Sequence, residues 1–183
     1  MKRWFICAAS ALITCSLTTA ASADDAESGF KGTARLEDGQ GVTTSISDDG
    51  QAATIIFDSL EVAVGGISKG PQVETQTLTI VMPVTQEGRP HVSQDVRGYF
   101  QADPGARCVL LYQAAGKTHV VDLPSVCGRD GDYTFTTTTT LPEGSTSFRA
   151  TFFLLVDRDN DDPETGAMLT VDTLDLESNQ ALR

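Results

Sequence analysis

Along residues 72–82 the side chains alternate: Leu78, Ile80 and Met82 fall on one face of an extended backbone, and Thr77, Thr79 and Val81 on the other. Period two marks a strand with one face on a core, and it argues against an amphipathic helix over the same residues. Further runs rich in Thr, Val, Ile, Phe and Tyr recur at 52–57, 60–64, 92–101, 106–113, 118–123, 133–140, 147–156 and 168–176, with Gly, Pro, Asp and Asn between them. Those four residue types punctuate chains because they suit tight backbone turns. No segment sustains a helical period. About nine short strands without intervening helices predict an all-β fold, an antiparallel β-sandwich or jelly roll in a single domain.

The chain begins Met1-Lys2-Arg3, runs apolar from Trp4 through Leu17, and reaches Ala21-Ser22-Ala23 before Asp24-Asp25. A short positive start, a brief apolar stretch and a small-x-small site predict a signal peptide over 1–23, cleaved after Ala23, and a secreted or periplasmic protein. Lipidation at Cys15 is the competing reading, but Thr14 is bulky for the position before a lipidated cysteine. Residues 24–41 are charged and Gly-rich and read as a flexible acidic leader, which leaves 42–183 for the sandwich. No later stretch is apolar enough to span a bilayer as a helix.

Export changes the charge. Removing Lys2 and Arg3 from the 13 basic residues leaves 11 against 25 acidic ones, a net charge of about −14. Such a surface repels nucleic acid and anionic lipid, which need Lys and Arg to displace counterions. Export also removes Cys7 and Cys15, leaving Cys108 and Cys127. In an oxidising compartment this pair predicts one structural disulfide, with a free or redox-active pair as the alternative. Zinc would need more soft ligands than this cysteine pair, and His91 and His119 are the only histidines.

Chemistry-bearing motifs are few. Asp157, Asp159 and Asp161 alternate in Asp157-Arg158-Asp159-Asn160-Asp161-Asp162-Pro163-Glu164, as oxygen ligands do in the first half of a calcium loop, which makes Ca2+ the one candidate cofactor. The sixth and twelfth positions hold Asp162 and Met168 where such a loop has Gly and Glu, and a solvated acidic turn is the plainer reading. No nucleophile elbow, zinc-binding His pair or phosphate-cradling glycine loop is present. His119 shares a strand face with Val121 and reads as a packed or edge residue, and His91 falls in a turn after Gly88. Tyr99, Tyr112 and Tyr133 are the only aromatic candidates for a sugar platform in the mature chain that carry a hydroxyl, since the sole tryptophan leaves with the signal. Paired carboxylates for glycoside hydrolysis are available in many combinations, and spacing in sequence does not choose among them.

The order Ser47-Asp48-Asp49-Gly50 to Phe57-Asp58, Leu78-Thr79-Ile80 to Pro83, Val96-Arg97-Gly98-Tyr99, Pro104-Gly105-Ala106, Tyr112, Gly116, His119, Pro124 and Leu169-Thr170-Val171-Asp172 covers most of 42–176. It resembles a family of small secreted β-sandwich proteins of bacteria and fungi that is known only as a domain of unknown function. Arg97-Gly98-Tyr99 with Tyr112 is the most specific part. Val73-Glu74-Thr75-Gln76 stands where that family carries an Arg-x-Asn-Cys group, and its early and late cysteines are absent. The resemblance implies secretion and a sandwich fold, and it brings no activity with it.

Together these readings predict a non-catalytic binding or surface-associated protein outside the cytoplasm, with an unidentified glycan or protein as partner. Two other classes remain: a small extracellular polysaccharide hydrolase using paired carboxylates, and a secreted inhibitor or envelope-structure protein working through an exposed loop or edge strand.

Overall fold

The alternation seen in the sequence becomes long strands in the computed structural model, which describes residues 29–37, 41–65, 73–85, 89–121, 123, 129–158, 162 and 164–179. Among these residues the strands are β1 Gly29–Phe30, β2 Arg35–Leu36, β3 Val42–Ile46, β4 Ala52–Val64, β5 Val73–Thr85, β6 His91–Ala102, β7 Ala106–Ala114, β8 Lys117–Val121, β9 Arg129–Thr140, β10 Ser147–Arg158 and β11 Ala167–Asn179. The expected signal peptide, Cys127, Asp159 and Asp161 lie outside the described residues.

Two sheets form, with every pairing antiparallel. One has the order β1-β5-β10-β7-β8, with β2 also on β5; the other has the order β3-β4-β11-β6-β9. From β4 onward the chain crosses between sheets at each step except the β7–β8 hairpin. The order 4-11-6-9 facing 5-10-7-8 is the winding of an eight-stranded jelly roll. It places the last two strands, β10 and β11, at the centre of their sheets, each bonded on both sides.

The inward faces supply the core: Leu78, Ile80 and Met82 of β5, Phe148, Phe152 and Leu154 of β10, and Leu169, Leu174 and Leu176 of β11 are all buried. Phe152 lies at the centre, with ring centroids 5.5 Å from Phe57 and 5.1 Å from Tyr112. One polar network crosses this interior. The Tyr112 hydroxyl of β7 donates to Gln94 Oε1 of β6 at 2.9 Å, and Gln94 Nε2 donates to Thr139 Oγ1 of β9 at 2.8 Å and to Val92 O at 2.7 Å. Every member is satisfied, so the network joins the sheets in one lateral register rather than costing stability.

Two expectations change. The runs at 52–57 and 60–64 are one strand, β4, in which three residues between Ile56 and Leu60 face one residue of β11, Asp172. That bulge resets the alternation and made one strand read as two. Part of the expected leader is also docked: β1 pairs with Thr85 and Val84, β2 with Val81 and Ile80, and Phe30, Ala34 and Leu36 are buried. Isolated apolar residues in a polar segment give no periodicity, so these anchors were not visible as structure in the sequence.

Candidate functional site

The jelly-roll winding sorts charge by sheet. On the outer face of β3-β4-β11-β6-β9, alternation turns out Asp58 and Glu61 of β4, Asp95 of β6, Asp130 and Asp132 of β9, and Asp172, Asp175 and Glu177 of β11. Among the described outward residues of this face the only Lys or Arg is Arg97. Because consecutive strands lie in opposite sheets, this segregation follows from topology and not from any charge run in the chain.

One transverse row concentrates the chemistry. Ser45, Thr54, Asp175, Asp95 and Thr136 are successive cross-strand partners over all five strands. Asp95 and Asp175 therefore stand directly opposite, an arrangement that costs stability when like charges have no partners. Here they have them. Thr54 Oγ1 donates to Asp175 Oδ1 at 2.7 Å, Arg97 Nη2 pairs with Asp175 Oδ2 at 3.2 Å, and Thr136 Oγ1 donates to Asp95 Oδ1 at 2.6 Å. Beside the row lies a shallow open hollow of about 180 Å³, lined by Ala52, Thr54, Ser93, Asp95, Asp175 and Glu177. Its carboxylates and hydroxyls offer acceptors to a cationic or hydroxyl-rich ligand.

The inner side of the same sheet explains the glycine of Arg97-Gly98-Tyr99. Tyr133 of β9 lies across from Gly98, and its hydroxyl donates to Thr170 O at 2.6 Å. A Cβ on Gly98 would meet that oxygen and the Tyr133 hydroxyl. Tyr99 N in turn donates to Thr170 Oγ1 at 3.0 Å, at the place where β11 bulges against β6. Burial pushes the Tyr133 hydroxyl well above the usual tyrosine range, with Asp172 and Cys108 adding to the shift. Only Tyr99 of the three tyrosines faces out, with its hydroxyl on Asp130 Oδ2 at 3.1 Å; Tyr112 and Tyr133 are core residues. The tyrosines form no common platform.

Of the expected calcium ligands, Asp157 alone lies within the described residues. Asp157, at the end of β10, is buried, and its two oxygens both accept from Arg107 of β7, at 2.6–2.8 Å. A bidentate pair of this kind uses the carboxylate that a cation would need. Among the described residues no group of three or more His, Cys, Asp or Glu is placed to hold a metal.

The expected Cys108–Cys127 bridge is not seen. Cys108 stands as a free thiol on the inner side of β7, 3.4 Å from both Gln101 O and Met168 O. Burial pushes its pKa up to about 11. His119 does share the inner face with Val121, and its ring lies 5.5 Å from Phe135, with Nε2 3.4 Å from Thr137 Oγ1. His91 opens β6 rather than a turn, and its Nδ1 meets Thr140 Oγ1 at 3.0 Å.

Another open hollow, of about 320 Å³, lies by the β7–β8 turn among Gln113, Ser147, Arg149 and Thr151. Its one charged side chain, Arg149, is paired with Glu37. No helix of the described residues is long and apolar enough to cross a membrane. No family model matches the chain, and no curated protein matches it.

Proposed function

We propose that this is an exported, non-catalytic binding protein whose working surface is the acidic outer face of β3-β4-β11-β6-β9, taking a cationic, hydroxyl-rich ligand along the Asp95–Asp175 row. The observation that carries this reading is the gathering, among the described residues, of eight outward carboxylates on one sheet face with Arg97 as the one outward base. A face of one sign raises the local concentration of opposite charge and speeds its capture. Thr54, Ser93 and Thr136 supply hydroxyls at the same place.

The test is calorimetric titration with a glucosamine oligosaccharide and, as its neutral counterpart, the N-acetylated form. The cationic sugar binds, binding weakens at least several-fold on going from about 50 to about 250 mM salt, and Asp95→Asn with Glu177→Gln removes it. Equal affinity for both sugars, or affinity unchanged in the double variant, overturns the reading.

Asp95 opposite Asp175 favours one second reading. Side chains facing each other across an antiparallel pair have Cβ atoms about 5 Å apart, near the separation of the two carboxylates in retaining glycosidases. Release of new reducing ends from a polysaccharide, lost in Asp95→Asn, would move the protein into that class.

A further inference from the structure

The central strands of the other sheet are apolar on both sides. In β10, Phe152, Leu154 and Val156 point into the core, while Phe153 and Leu155 point outward; in β7, Leu110 points inward and Val109 and Leu111 outward. Strands that are apolar at consecutive positions are typical of sheets covered on both faces. Register makes these outward residues one patch: Leu155 lies beside Val109, and Phe153 beside Leu111, which lies beside Val120 of β8. Val120 is 70% exposed and Val73, at the end of β5, 53%.

We infer that a second copy of this chain covers the outer face of β5-β10-β7-β8, giving a two-fold dimer. Charge selects the occupant. The chain carries a net charge of −12, so two copies repel wherever their acidic surfaces approach. This face is the exception, since its ionic residues include two opposite-sign pairs, Arg107 with Asp157 at one end of β10 and Arg149 with Glu37 at the other. Each end of the patch thus offers both signs, which a two-fold axis can match with itself. An anionic bilayer would need unneutralised bases, and both Arg107 and Arg149 are paired with carboxylates.

Size agrees. Four strands spaced about 4.8 Å apart, each with about four outward positions, span roughly 20 Å by 27 Å. Two such faces bury on the order of 1,000 Å² in total, at the low edge of specific interfaces, so the dimer forms at micromolar concentration rather than as a permanent unit. It leaves both acidic faces outward. The inference is independent of what those faces bind.

Sedimentation equilibrium on the exported chain tests it. Mass rises toward twice the monomer between about 1 and about 200 μM, and the dimer tightens as salt rises, because screening relieves the repulsion between like-charged copies. Val120→Glu and Phe153→Ser each weaken association at least tenfold, with circular dichroism showing the fold retained, while Ile56→Glu on the acidic face leaves it unchanged. A monomer at every concentration overturns the inference. So does loss of association in Ile56→Glu or at high salt, which would mean that one copy's acidic face seats on the next, and so does co-sedimentation of monomer with anionic vesicles.

Discussion

Gly98 lacks a side chain because Tyr133 uses the space: the tyrosine crosses β6 to reach Thr170 O in the bulge of β11. Gly98→Ala is therefore expected to cost about 2–3 kcal/mol, as overpacking against backbone does, read as a lower urea midpoint with an unchanged slope. Tyr133→Phe should not rescue it, since the added Cβ still meets Thr170 O. Cys108 carries a second residue-scale prediction. With its pKa at about 11, burial being the main cause, the thiol should resist iodoacetamide at pH 8 in the folded protein and react on unfolding without reductant. Reaction only after reduction would restore the bridge to Cys127 expected from cysteine count. At Asp157 spacing along the chain is blind to Arg107, which lies fifty residues away and donates to both oxygens.

At the scale of elements, strand existence was legible and strand context was not. Period two located β5, because burial on one face imposes it, and richness in β-branched and aromatic residues between turn residues located β6 through β11; each expected run lies within, or nearly within, an observed strand. The merging of two runs into β4 escaped because a bulge breaks the period inside a continuous ladder. The acidic row escaped because Thr54, Asp95, Thr136 and Asp175 come from four strands, and no local signal records which strands become neighbours. The β7–β8 hairpin shows local chemistry at odds with local geometry. Its two-residue loop, Ala115-Gly116, has positive φ at both positions, 45° and 77°, as the favoured hairpin turn requires. Alanine is strained there, so Ala115→Asn is expected to stabilise by about 0.5–1 kcal/mol, seen as a higher melting temperature. No change or a drop would show that the turn conformation is not as described.

For the whole molecule, the winding that sends alternate strands to opposite sheets decides the core, the position of the C-terminal strands and the two unlike outer faces. It also sets the response to alkali. Cys108, Tyr112 and Tyr133 all have raised pKa values, chiefly from burial. For each group the unfolded chain releases its proton first, from ordinary values of 9.0 for the thiol and 10.0 for the phenols, so the native state binds more protons in that range. The stability these neutral groups contribute is complete below pH 9 and is lost as pH rises above it. Urea midpoints should fall beyond pH 9, and Cys108→Ala should remove the part of the fall between 9 and about 11. The separation of charge between the faces can be measured without knowing any ligand, by comparing amide broadening from a cationic and an anionic nitroxide of the same size. The cationic probe should broaden Asp95, Asp132 and Asp175 far more than the anionic one, while Leu111 and Phe153 should respond to both about equally. Equal responses on both sheets would contradict the sorting of charge by topology, and with it the account of how this protein works.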